Sequence, residues 1–263
     1  MQEGIYIAAS AGLKQQNKLD IIANNLANLN NTGFKRDGVV FKEMIAPFQN
    51  DGGFEEARNA LLPPDKSNAN VAYVGINDFY TDHKQGGLIA TGNTLDLALE
   101  GDGFFQIETA AGTRYSRKGN FRLDKQNRLV TQDGDPVLDK AGAPVVINAV
   151  GGDIGIDANG VVSVGKGLNN ANLGQINVVR FENRDQLVKE GSGLYKKGTP
   201  DLQEEDAQTT FVRQGFLETS NVNTMEEMTA MIATMRGFEA YQKVIQSIDE
   251  INGQAVNTIG RVG

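Results

Sequence analysis

The six prolines of this 263-residue chain are Pro47, Pro63, Pro64, Pro136, Pro144 and Pro200, so the first 46 and last 63 residues contain none. Proline removes an amide donor and clashes with the preceding turn of a helix. Long helices are therefore open to the two ends of the chain. In the N-terminal segment, steps of three and four select Ile5, Ala8, Gly12, Gln15, Leu19, Ile22, Leu26 and Leu29, a mostly apolar, coiled-coil-like seam. Asn28–Asn31, Thr32 and Gly33 then favour a turn. The spacing predicts one helix from about Ile5 to Leu29.

At the other end Asn223 stands where an N-cap would, with Glu226 and Glu227 placed to oppose the helix dipole. Met228, Met231, Met235, Phe238, Tyr241, Ile245, Ile248, Ile251, Ala255 and Ile259 follow at intervals of three or four. A helix from Thr224 to about Gly260 would be about 55 Å long at about 1.5 Å per residue. A compact body of this chain length is about 47 Å across. Such a helix must bury its stripe on the N-terminal helix, on other copies of the chain, or on both.

Between the ends the pattern changes to short β-prone runs punctuated by Gly, Asn and Asp. Expected strands are Phe104–Glu108, Arg114–Ser116, Asn120–Leu123, Arg128–Thr131, Pro136–Leu138, Val145–Ile147, Val161–Val164 and Ile176–Phe181. Turns are expected at Asp124–Asn127, Asp133-Gly134 and Asn159-Gly160. Ala46–Gly87 has little periodicity and reads as an irregular arm.

The composition excludes much chemistry. There is no Cys and His83 is the only His, so thiolate chemistry and His-rich metal sites are absent. With 25 basic and 33 acidic residues the formal charge is -8, which disfavours nucleic acid and anionic membrane as partners. No apolar run is long enough to span a bilayer, and residues 1–17 lack a basic leader and a long apolar block. Gly101-Asp102-Gly103 lacks the third glycine of a nucleotide loop, and Asp133-Gly134-Asp135 lacks the rest of a calcium loop. Both read as turns. His83 is expected at a surface or interface, and Lys35-Arg36 and Lys196-Lys197 as solvated pairs. No catalytic residue, cofactor or metal is assigned.

Ala23-Asn24-Asn25-Leu26-Ala27-Asn28 followed by Gly33-Phe34 resembles the signature of the flagellar basal-body rod family. Leu217-Glu218, Ser220-Asn221-Val222-Asn223, Glu226-Glu227, Met231-Ile232, Arg236 and Phe238-Glu239 are similar to the family's second block. Thr91-Gly92-Asn93, Leu95-Asp96, Ala98, Gly101, Gly103-Phe104-Phe105, Tyr115-Ser116-Arg117 and Gly119 resemble the β domain of its larger members. Asn31 stands where the family usually has Thr. In size the chain resembles either the large proximal or the distal rod protein, and Gly134–Leu138 and Gly87–Gly92 resemble the proximal one more.

The fold class expected is α+β, with long N- and C-terminal helices paired in a coiled-coil-like way and a central, mostly antiparallel β domain. The divisions are an N-terminal axial helix over 1–33, an arm over 34–90, the β domain over 91–190, a connecting segment over 191–216 and a C-terminal axial helix over 217–263. The resemblance implies a structural subunit that polymerises helically into a hollow, torque-transmitting shaft. Its implied partners are other copies of itself, rod proteins above and below, and the flagellar export apparatus. It implies export without a cleaved leader into the periplasmic basal body, with no nucleic acid and no membrane insertion. The implied assembly residues are Leu19, Ile22, Asn24, Asn25, Leu26, Asn28, Phe34, Asn221, Asn223, Met228, Met231, Ile232, Met235, Phe238, Ile245 and Ile248. Asn24 and Asn28 are expected to make interhelical or capping bonds. The rival readings are a β-rich ligand-binding or adhesive module on a helical stalk and, more weakly, a carboxylate hydrolase.

Overall fold

Helix α1 covers Gln2–Ala27 and helix α2 covers Thr224–Ile259, so both proline-free ends are helical. The computed structural model describes residues 2–44, 73–148, 152–166 and 169–259. After α1 the chain turns through amide bonds from Leu29 to Leu26 O and from Asn31 to Asn28 O, and Gly33 takes a φ of 65°. Helix α2 begins directly after Asn223, with Glu226 and Glu227 in its first turn. Opposite charge at the positive end of the helix dipole stabilises that start.

Seventeen strands occur among the described residues: β1 Asp37–Met44, β2 Tyr73–Thr81, β3 Leu88–Ala90, β4 Leu97–Glu100, β5 Phe104–Thr109, β6 Gly112–Ser116, β7 Arg122–Leu123, β8 Leu129–Val130, β9 Asp153–Ile156, β10 Val161–Lys166, β11 Asn169–Gln175, β12 Val178–Arg180, β13 Leu187–Gly191, β14 Leu194–Lys197, β15 Glu205–Asp206, β16 Phe211–Gln214 and β17 Phe216–Glu218. The largest sheet has the order β13-β14-β6-β5-β12-β15, and its pairs are antiparallel. Three strands form β11-β10-β9, and the rest pair as β1·β2, β4·β16, β3·β17 and β7·β8.

Alternation along β5 explains why the large sheet is covered on both faces. Successive side chains point to opposite sides, so Phe105 and Ile107 enter one core while Phe104 enters another. Val178 and Val179 of β12 divide in the same way. The first core gathers Leu97, Leu99, Phe121, Leu129, Val145, Ile147, Val162, Ile176 and Val212. The second joins Phe104 to Tyr115, Phe181, Leu187, Tyr195 and Leu202. Edge-on ring contacts at 4.8 Å (Tyr115 and Phe181) and 5.5 Å (Phe104 and Tyr195) knit the second core.

The expected turns are present. Asn127 adopts a φ of 58° and Gly160 one of 78°, and the Asp124 and Asp157 side chains accept bonds from the amides ahead of them. Pro136–Leu138 and Val145–Ile147 pair through isolated bridges instead of forming strands. The stretch over 34–90 read as irregular carries β1, β2 and β3; its residues 45–72 lie outside those described. Pairing also continues past residue 190 through β17. Strand β11, sequence NNANLGQ, is poor in β-formers yet pairs with β10 from Lys166↔Asn169 to Val161↔Gln175. Its strand state comes from its neighbour, which composition does not reveal.

The described chain separates into two compact bodies. One holds α1 through Asn25, the β1·β2 ribbon through Tyr80, and α2; the other holds residues 26–36 and 81–223. In the second body, a Cβ on Gly119 would stand 1.5 Å from the carbonyl oxygen of Leu97. That oxygen belongs to core backbone and cannot step aside. Gly119→Ala should therefore destabilise the β body by about 3 kcal/mol or more, read as a lower urea midpoint.

Candidate functional site

Glu218, the last residue of β17, carries a fully buried carboxylate. Its Oε1 accepts from Lys35 Nζ at 2.5 Å and from the Gly86 amide at 2.9 Å, and its Oε2 lies 3.4 Å from Arg117 Nη1. Lys35 also donates to Lys84 O at 2.7 Å, and Arg117 Nη2 donates to Gly101 O at 2.7 Å. The Arg117 guanidinium stands 5.3 Å from the centre of the Phe104 ring. Two cations and one carboxylate thus share a site closed to water. Burial lowers the pKa of both Lys35 and Arg117, and the Glu218 charge opposes that shift.

The backbone around the carboxylate is equally committed. The Gly33 amide donates to Glu218 O at 2.8 Å, and a Cβ there would lie 2.6 Å from the Arg117 carbonyl carbon. With its left-handed φ, position 33 is restricted to glycine. Asn221 accepts from the Arg36 amide at 2.7 Å and donates to Asp82 O at 2.8 Å and Lys84 O at 3.1 Å. Phe34 lies 4.3 Å beneath Lys189 Nζ, which donates to Lys35 O at 2.5 Å. The segment after α1, the segment before α2 and residues 82–87 are therefore pinned at one place.

In the other body, Asn25 of α1 is fully buried. Its Nδ2 donates to Asp37 O at 2.9 Å and its Oδ1 accepts from the Asp37 amide at 2.9 Å. A planar side-chain amide can satisfy both backbone groups of one residue, as a neighbouring strand would. Its Nδ2 also lies 3.5 Å from Glu227 Oε2 of α2. Along the helices, Cβ positions built on Gly4 and Gly12 meet Ile248 Cδ1 at 3.4 Å and Phe238 Cε2 at 3.9 Å, and one on Gly237 meets Gln15 Nε2 at 3.0 Å. The α2 number falls as the α1 number rises, so the two segments run in opposite directions.

The apolar positions of α2 divide between two faces. Glu227 and Thr234 are buried, and Met231, Phe238, Tyr241, Ile245 and Ile248 are half-buried. Met225, Met228, Ile232 and Met235 are between 48% and 73% exposed. The single stripe read from steps of three and four is thus spread over a wide arc, with Met228 and Met235 on its solvent side. Ile251 is exposed as well, and the side chains of Ala255 and Ile259 lie outside those described. Of the remaining expected positions, Ile22 is buried, Leu19 and Leu26 are half-buried, and Asn24 and Asn223 are exposed. Asn28 Oδ1 accepts from Asn31 Nδ2 at 2.6 Å, a side-chain bond within the turn after α1.

Two expectations are corrected. Lys35 is fully buried against Glu218 and is not a solvated surface charge, because its stem passes inside the pinned segment. His83 is only 7% exposed and packs against Phe104 and Tyr195. The cluster of Lys35, Arg117 and Glu218 was not assigned from sequence. Its partners are separated by 82 and 101 residues, and no local pattern joins them. Lys196-Lys197 is paired in part, with Glu190 at 2.9 Å and Glu204 at 2.7 Å. Among the described residues no group of acidic and histidine side chains is arranged to hold a metal, and no helix is long and apolar enough to cross a membrane.

Residues 5–35 match the family described as flagella basal body rod protein, residues 98–164 the flagellar hook protein FlgE/F/G D1 domain, and residues 213–258 the flagellar basal body rod FlgEFG protein C-terminal family. The chain is 38% identical to flagellar basal-body rod protein FlgG of Bacillus subtilis (strain 168), across 98% of this chain and 99% of that one. It belongs to the flagellar basal-body rod protein family. Flagellar basal-body rod protein FlgF of Caulobacter vibrioides is 32% identical over the full length of both chains, and FlgF of Mesorhizobium japonicum is 31% identical over 99% of each. Membership over the full length makes this chain a structural rod subunit. The matched N- and C-terminal regions contain Asn25, Gly33, Lys35, Glu218, Asn221 and Glu227, so these residues of the helix ends fall within the family regions, whereas residues 82–87 lie between them.

Two substitutions probe this site. Glu218→Gln leaves Lys35 and Arg117 buried without a counter-charge and should cost about 3–5 kcal/mol, measured by urea unfolding at neutral pH. Asn25→Ala orphans both backbone groups of Asp37 and should cost about 1–3 kcal/mol in the unfolding of the helical body.

Proposed function

We propose that this rod subunit polymerises helically with other copies of itself and with other rod components. In this reading α1 and α2 form a coiled-coil-like axial core, and the β body serves as a separate part of the subunit. The work of the chain is mechanical: it transmits torque through the shaft and catalyses nothing. It reaches the periplasmic basal body through the flagellar export apparatus. Leu19, Ile22, Leu26, Met231, Phe238, Ile245 and Ile248 serve pairing of the helices. Met228, Ile232 and Met235 serve contact between subunits, and Asn24, Asn25, Asn28, Phe34, Asn221 and Asn223 fix where the helices leave their turns.

The observation that carries this reading is the second apolar face of α2. Met225, Met228, Ile232 and Met235 recur at the three- and four-residue steps of one helical face, and all four are exposed. A water-facing Met or Ile gains on the order of 1 kcal/mol or more when buried. A row of four is a drive to associate, and Met adapts to an irregular partner surface.

Met228→Glu combined with Ile232→Glu places charge on that face and leaves the other face of α2 intact. The isolated variant should keep its unfolding free energy to within about 1 kcal/mol, while the yield of assembled rods and swimming both fall at least tenfold. Normal rods from this double variant would overturn the reading.

A further inference from the structure

His83 lies two residues before Gln85 and three before Gly86, in the segment that Glu218 and Asn221 hold. It is 93% buried, and neither ring nitrogen has a hydrogen-bond partner among the described residues. Its ring centre is 5.8 Å from that of Phe104 on β5 and 5.6 Å from that of Tyr195 on β14. An aromatic niche of this kind accepts a neutral imidazole as a flat, mostly apolar ring. It offers no hydrogen-bond acceptor among the described residues to an imidazolium, which is a donor at both nitrogens.

The charges that face this niche are mostly of one sign. Lys35 from the segment after α1, Arg117 after β6, Arg184 in the 3-10 turn Arg184–Gln186 and Lys189 on β13 all act against protonation of the ring. The carboxylates nearby are already engaged. Glu218 holds Lys35, the Gly86 amide and Arg117; Asp102 holds Arg184 at 2.5 Å; Asp82 accepts from the Lys84 amide at 3.1 Å. A proton on His83 therefore adds a positive charge to a closed site that already holds one cation in excess.

We propose that His83 is an acid-sensitive latch: protonation of its ring forces the 82–87 segment out of the niche and frees residues 32–36 and 216–222, the roots of both terminal helices, from the β body. The backbone connections that open are the Gly33 amide to Glu218 O, the Gly86 amide to Glu218 Oε1, and the Arg36 amide to Asn221 Oδ1. The core around Ile107 and Leu129 has no part in the niche and stays closed.

The direction of the effect follows from burial first and the four cations second, which push the His83 pKa down from its ordinary 6.5 to about 4. A group whose folded pKa is depressed in this way binds more protons when released. Stability of the latch is then full above about pH 6.5 and declines as the pH falls toward 4. Across that window the equilibrium for opening shifts by roughly two to three powers of ten.

The single histidine makes the test direct. In the full chain, the imidazole proton resonance of His83 is followed by NMR against pH, together with hydrogen exchange at the Gly33, Gly86, Arg36 and Ile107 amides. The latch requires an imidazole that titrates well below 6 and a loss of protection at Gly33, Gly86 and Arg36 between pH 6.5 and 4.5 while Ile107 stays protected. His83→Phe keeps a ring in the niche and His83→Gln removes both the ring and the titration; each should abolish the acid-dependent opening, and the pair covers the case in which one variant folds poorly. The proposal is overturned by a His83 that titrates near 6.5 in the folded chain. It is also overturned by a variant that opens with the same pH dependence, or by Ile107 losing protection in step with Gly33, which would mean global unfolding.

Discussion

The buried carboxylate of Glu218 sets the terms for much of the second body. A carboxylate without water must be met by cations and donors, and those come from three distant parts of the chain: Lys35, Gly86 and Arg117. Lys35 is held in turn by the backbone oxygen of Lys84, and Arg117 by that of Gly101. The site is closed tightly enough that glycine is needed at Gly33, where any side chain would strike Arg117. A buried ion pair is seldom a large net source of stability, but it is strongly selective, because any arrangement that leaves one member alone is costly. Here the selected arrangement is the one in which the chain leaving α1 and the chain entering α2 meet at a single place.

The helical body is built on the opposite economy of contacts. There the amide of Asn25 locks onto Asp37, and the helices approach closely at Gly4, Gly12 and Gly237. Half-buried side chains and an exposed Met face remain on α2. A subunit with one body saturated by internal contacts and another left unsaturated suits a family whose members form a rod. Folding fixes where the helices begin; in the proposed reading the exposed face of α2 is left for association.

Both helices and the turns at Asp124–Asn127 and Asn159-Gly160 were legible in sequence, because their determinants are local: absent prolines, a recurring apolar step, an Asn or Gly placed for positive φ. The rod-family signature was legible for the same reason. Lys35 was read as a solvated charge and His83 as a surface or interface residue because nothing within a few residues of either announces burial. Glu218 lies 183 positions from Lys35, and only the fold brings them together. Strands β13 to β17 were missed because two to five residues, often polar, carry too short a pattern, and β11 is a strand only because β10 lies beside it. Asn25, in contrast, was singled out by its motif. The structure supplies the physical reason, an amide that satisfies both backbone groups of Asp37.

The most direct test of this account is hydrogen exchange along α2 in the dilute subunit and again in assembled rods. The account predicts that amides around Met228, Ile232 and Met235 exchange readily in the subunit and become at least a hundredfold more protected in rods. The Gly33 and Arg36 amides should be equally protected in both. Equal protection of α2 before and after assembly would contradict the claim that its exposed apolar face is what assembly buries.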